Sequence, residues 1–484
     1  MSFAYVLSML GWALSSFSVA MIAPALVSFG FHETGLALTF IGSAALTAFA
    51  GGALVIATRG ARSAAATSEG YVLAGVFWIV LAFFGALPIL ISGNASSITD
   101  AYFESISGLT TTGATVFPSV EMLPHGILFW RSLLSWIGGF ATVLLALNVL
   151  SFGSLGGMNL FTSAIPRGNR DALDVRLVHS VQALSLIYAG LTLLCAVFLW
   201  LAGMLPFDAV NHAMSTLSTG GFSTREASIA AFRSGPIEVI LIVFMVLAAV
   251  NMTLHWVVLH GRWPRHHRDP ESQALIAVAI VGLVLVAGAL FYLGEDGPVS
   301  AVRAGAFAVI SSLTTTGFTG ATAGQIASWP GLVPIVLIGL ILIGGSTGST
   351  AGGVKLMRLL IFLKLAGREI ARLSHPHGVV RLRHGDATLD EPTLRAVWGF
   401  LIIFLTAFAS LAVALSLFGF DLRSALVTAA VTISNAGAAL PAVGGGEYAQ
   451  FSSGAKWVLG LSMVIGRLEV VTVLVFLSPS FWRK

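Results

Sequence analysis

Long apolar runs dominate the chain, and charged or small polar residues come between them in short clusters. Runs able to cross roughly 30 Å of hydrocarbon as helices fall near residues 4–28, 35–57, 70–92, 125–151, 178–204, 236–260, 272–293, 329–364, 393–418 and 454–478. The pattern predicts ten long helices with the lipid bilayer as their solvent. The first run lacks a basic leader and exceeds the about 7–15 apolar residues of a signal-peptide core, so it reads as a retained membrane helix. Four shorter segments, 100–111, 208–219, 300–315 and 422–435, alternate with pairs of long ones. Each offers about three helical turns, too few to span, and runs into small polar residues.

Aligned on those residues, the four segments read SGLTTTGAT (107–115), STLSTGGFS (215–223), SSLTTTGFT (311–319) and TISNAGAAL (432–440). A glycine stands in register each time, and Gly113, Gly221, Gly317 and Gly437 are 108, 96 and 120 residues apart. That period is long for a solenoid but fits a unit of helix, re-entrant segment and helix repeated four times. The predicted organisation is two leading helices (1–66) and four pore units, 67–176, 177–268, 269–384 and 385–484. Taken singly, a TTTG string is ordinary helix-capping chemistry. Four copies in register point instead to non-helical backbone at membrane depth lining one water-filled path. The fold class is an all-α polytopic membrane protein with its units around one central pore.

Composition sharpens this picture. Charged residues make up 10% of the 484 and hydrophobic ones 56%, with a mean hydropathy of +0.92; soluble domains carry roughly 25% charge. A soluble enzyme, a nucleic-acid binder and a disordered scaffold are excluded. The lone Cys195 allows no internal disulfide. Eighteen of the 25 basic residues lie in loops that share one side, from Arg59 and Arg62 through Arg167, Arg262 and the Lys355–Arg395 cluster to Lys484. The positive-inside rule makes that side cytoplasmic, with both termini on it. The other side holds more acids than bases, among them Glu33, Asp100, Glu104, Asp208, Glu238 and Asp421. They read as an acidic vestibule that concentrates cations, as N-terminal caps of the short helices, or as both.

Candidate chemistry follows from the backbone. Dehydrated monovalent cations need several oxygen ligands at once, and four converging strands of carbonyls supply them without a charged side chain. Glycine permits the necessary backbone angles, threonine hydroxyls add oxygens below, and the negative C-terminal ends of the short helices favour a cation at the centre. In the third unit a long helix is interrupted by Gly344, Gly345, Ser346, Thr347, Gly348, Ser349, Thr350, Ala351, Gly352 and Gly353. Ten small residues at mid-depth must face water or protein. They read as a gate across the path, against the alternative of close helix packing through small residues. Gly348 and Gly353 have phosphate-loop spacing, but the lysine is displaced to Lys355 and no Ser or Thr follows it, so nucleotide binding there is not expected. Arg467 and Glu469 sit inside the last apolar run, where charge is expensive and usually functional; the arginine either sets a barrier in the pore, binds carbonyls of the glycine-rich loop, or joins a buried ion pair. His266, His267, His375 and His377 lie in basic loops without a metal-ligand pattern, and no HExxH or intramembrane carboxylate pair marks a hydrolase.

On FESISGLTTTGATV (103–116), LSTGGFST (217–224), LTTTGFTGA (313–321), GSTGSTAGGVKLMR (345–358) and GRLE (466–469), over nearly the whole length, the chain resembles the Trk/Ktr/HKT superfamily of potassium uptake proteins, in its TrkH type. The resemblance implies that Gly113, Gly221, Gly317 and Gly437 are filter glycines for potassium. Thr111, Thr112, Thr219, Gly220, Thr315, Thr316, Asn435 and Ala436 then contribute carbonyls on their inner side. It implies that 344–353 is the intramembrane gate, with Arg467 near it and Lys355 following it. It further implies a homodimer in a bacterial-type inner membrane, each protomer with its own pore, on a cytoplasmic ring of TrkA-like subunits. No covalent cofactor is implied, and nucleotide acts only through that partner. One departure stands out: relatives commonly carry proline and glycine after the fourth filter glycine, where this chain has Ala438 and Ala439. A secondary transporter coupling potassium to proton or sodium is the alternative. Such transporters usually show two halves, whereas this chain repeats four times.

Overall fold

The computed structural model describes residues 3–60, 67–152, 170–259, 261, 269–294, 297–375, 382–384 and 387–468. Glu469, the rest of the last apolar run, Arg62, Arg167, Arg262, Arg265, Arg268, Arg381, Arg483, Lys484, His266, His267 and His377 lie outside the described residues.

Seven described helices are long and apolar enough to cross a membrane: Phe3–Gly30, Thr34–Ala57, Val72–Ile91, His125–Leu145, Val181–Leu201, Pro270–Tyr292 and Glu391–Ser416. Their outer faces present large apolar side chains such as Trp12, Phe49, Leu193 and Ile280 to the surroundings, as lipid-facing helices must. The two leading helices pack on each other and on the first unit.

The four short helices appear where the repeat places them, at Ile98–Leu109, Pro206–Leu217, Pro298–Leu313 and Leu422–Ile433. Their starts are written in the sequence: the Ser97 hydroxyl accepts from the Asp100 N–H, the Asp421 carboxylate from those of Arg423 and Ser424, and Pro206 and Pro298 open the other two. All three are standard N-terminal devices.

Two long runs are not single helices. The third unit's second span consists of Leu332–Ile343 and Leu356–Ser374, separated by the small-residue loop. The span expected at 236–260 also breaks, into Gly235–Ala249 and Met252–Leu259, bent by 99°. Val250 there is extended, and the Asn251 carboxamide oxygen accepts from the Thr253 N–H at 2.9 Å and hydroxyl at 2.7 Å, starting a new helix. The one described departure from an all-helical chain is a two-residue hairpin, Arg383–His384 against Ala387–Thr388, in the basic loop after the third unit.

Candidate functional site

Each short helix ends in the same turn. Thr111 N–H donates to Gly108 O at 2.8 Å and Thr112 N–H to Ser107 O at 2.8 Å. The equivalent pairs are Thr219 to Thr216 and Gly220 to Ser215, Thr315 to Ser312 and Thr316 to Ser311, and Asn435 to Thr432 and Ala436 to Val431. This is the Schellman arrangement, which ordinarily places glycine in the left-handed position. Here that position holds Thr111, Thr219, Thr315 and Asn435, at φ of +54°, +52°, +55° and +53°. A β-branched residue in that region costs on the order of 1–3 kcal/mol, a strain repeated in three units.

The four turns close into a ring. A methyl group built on Gly113 would collide with the carbonyl oxygen of Gly220 in the second unit, and one on Gly221 with that of Thr316 in the third. One on Gly317 would lie 2.7 Å from the Ala439 nitrogen in the fourth, and one on Gly437 2.7 Å from the Thr112 side chain in the first. Every glycine therefore abuts the next unit in cyclic order. The ring is tied further by Asn435 Nδ2, which donates to Thr112 Oγ1 at 3.1 Å and to Met463 O at 2.8 Å. Gly113, Gly221 and Gly317 have φ of +72°, +73° and +85°. Gly437 does not share that conformation and instead begins a short 3-10 turn, Gly437–Ala439, so the fourth turn departs from the other three where Ala438 and Ala439 stand. Threonine hydroxyls of the first and third turns are hydrogen-bonded within their own unit. Thr110 pairs with Thr112, and Thr314 with Thr316, each at 2.8 Å.

The small-residue loop lies against one side of this ring. Gly352 N–H donates to the Thr315 hydroxyl at 2.7 Å, and a methyl on Gly352 would collide with Ser434 O. The buried Thr350 hydroxyl lies 3.0 Å from Leu217 O and 3.2 Å from Ala248 O. Arg467 is buried, and its Nη1 donates to Thr350 O at 2.9 Å. The second broken helix serves the same loop: Ser346 N–H donates to Ala249 O at 2.9 Å, and Met252 N–H to Gly348 O at 3.2 Å. Thr347 N–H donates to Glu271 Oε2 at 2.6 Å, and the Lys355 ammonium to Ala351 O. Backbone freed from two helices is thus satisfied inside the protein, as a low-dielectric interior requires.

The sequence pattern of the TrkH family, described as a cation transport protein, matches residues 37–274 and 280–484. Over the whole of both chains, the protein is 38% identical to the Trk system potassium uptake protein TrkH of Halomonas elongata and 38% identical to that of Vibrio parahaemolyticus. The crystal structure of the potassium transporter TrkH from Vibrio parahaemolyticus superposes with a TM-score of 0.90 at 36% identity, covering 100% of each chain. The chain belongs to the TrkH family.

Within that family frame, the structure brings all twelve residues singled out in the four segments into one ring, and sets residues 344–353 and Arg467 against one side of it. Sequence reasoning missed three participants: Asn251, Glu271 and Tyr448, whose hydroxyl donates to Gly437 O at 3.2 Å. The signal for Asn251 was a lone amide in an apolar run; Glu271 and Tyr448 carried none. The outer acids are engaged more than an open vestibule implies. Asp100 pairs with Lys456 at 2.7 Å, Glu104 with Arg131 at 2.6 Å, Asp208 with Arg225 at 2.8 Å and Glu238 with Arg303 at 2.7 Å. Asp421 caps its helix, and the hydrogen bonds from Ser424 hold its carboxyl below the usual carboxylate range.

Proposed function

We propose that the chain carries potassium across a bacterial-type inner membrane toward the cytoplasm, along the axis enclosed by the four glycine-centred turns. The supporting observation is their closed cyclic order, each glycine against the backbone or side chains of the next unit. Carbonyls of Thr112, Gly220, Thr316 and Ala436 belong to that ring, and the C-terminal ends of four short helices surround it, all favouring a cation. The relatives' names, Trk system potassium uptake proteins, agree with this ion.

In this reading residues 344–353 are the gate. The hydrogen bonds from Thr350, Gly352 and Arg467 hold it shut, and opening exchanges them for water. A TrkA-like nucleotide-binding ring, docked on the basic cytoplasmic face, moves the loop, and two copies of the chain sit side by side, each with its own path.

The test is rubidium-86 uptake into potassium-loaded liposomes holding the purified chain and its TrkA-like partner. External potassium should suppress uptake, equal sodium should not, and imposed proton or sodium gradients should leave it unchanged. Uptake that follows either gradient would make the protein a coupled secondary transporter.

A further inference from the structure

The fourth turn does more than depart from the other three: it reaches across the ring. A methyl built on Gly113 would lie 2.9 Å from the Ala438 Cβ, one on Gly221 2.6 Å from it, and one on Gly317 2.9 Å from it. With a carbon–carbon bond of about 1.5 Å, the Ala438 methyl is within roughly 4.4 Å of the three Cα atoms. Carbon atoms touch at about 3.5–4.0 Å, so the methyl is close to contact with all three. Gly113 and Gly317 are in the units beside the fourth, but Gly221 is in the unit diagonally opposite. An atom of the fourth unit that reaches it lies over the axis.

Two hydrogen bonds hold the segment there. Ala438 N–H donates to Thr112 O at 3.0 Å, and Tyr448 Oη to Gly437 O at 3.2 Å. Each occupies a carbonyl that an ion in the ring needs. We infer that Ala438 closes the outer end of the path, and that the fourth turn must draw back, releasing both carbonyls, before an ion enters. This is a second constriction, on the opposite side of the ring from the 344–353 loop, and it rests on the potassium reading above.

Three variants of the full chain, reconstituted with the partner subunit, test it by rubidium-86 uptake. Ala438→Gly removes the methyl and should raise uptake about threefold or more, with sodium competing better than it does for the parent. Ala438→Val enlarges the group and should cut uptake to about a tenth. For Ala438→Cys, a membrane-impermeant cationic thiol reagent applied outside should block uptake; Cys195, the parent's one cysteine, is buried. Parental uptake and sodium sensitivity in the first two variants, or no block in the third, would overturn the inference while leaving the potassium reading intact. A parent without potassium-competed uptake would instead remove the reading beneath it.

Discussion

Thr350→Val exchanges a hydroxyl for a methyl at nearly constant shape, at the point where the small-residue loop is tied to the second unit. The side chain is fully buried, with its one proton shared between Leu217 O at 3.0 Å and Ala248 O at 3.2 Å. A hydrogen bond of this kind is worth about 0.5–1.5 kcal/mol net, and a buried acceptor left without a donor costs about 1–3 kcal/mol. In the proposed open state the same carbonyls reach water, so the loss falls on the closed state alone. A value of about 1.5 kcal/mol corresponds to roughly a tenfold change in an equilibrium constant. Rubidium-86 uptake into liposomes without the partner subunit should therefore rise about tenfold in Thr350→Val. Thr350→Ser keeps the hydroxyl and should stay near the parent. Parental uptake in the valine variant, or an equal rise in the serine one, would mean that the Thr350 hydroxyl does not hold the loop closed.

Shortening the loop by four residues within 344–353 should make uptake largely independent of the partner, checked by the same flux with and without it. Gly113→Ser puts a side chain at a φ of +72° and against the Gly220 carbonyl; sodium should then inhibit rubidium uptake at lower concentrations than in the parent. Glu104→Gln leaves Arg131, 1% exposed, without its carboxylate partner. Breaking a buried pair costs about 3–5 kcal/mol, so the thermal unfolding midpoint in detergent should fall by several degrees.

The repeat was legible because capping chemistry and glycine recur in register, and that register survives as four turns closed by the same pair of hydrogen bonds. The allocation of strain was not. The TTTG strings point to glycine as the residue with unusual angles, yet Thr111, Thr219, Thr315 and Asn435 also take positive φ. Helix-terminal hydrogen bonds fix that choice, and they depend on where the helix stops rather than on local propensity. The break after Ala249 was hidden for a related reason. AAVNM contains neither glycine nor proline, and the break is stabilised by long-range bonds from Ser346 and to Gly348. Arg467 was legible as an intramembrane charge with the loop's carbonyls as one candidate partner; which carbonyl it meets, that of Thr350, depends on tertiary packing. Ala438 was visible as a departure, but its position over the axis emerges only when all four units are assembled.

The proposed function requires that the four turns enclose a potassium-selective path. Its most direct test is the reversal potential of currents through the purified chain and its partner in a planar bilayer, with potassium on one side and sodium on the other. The expected potential is set by the potassium gradient and unmoved by changes in pH or in the sodium gradient. A potential near zero under these bi-ionic conditions, or one that follows proton or sodium, would contradict it.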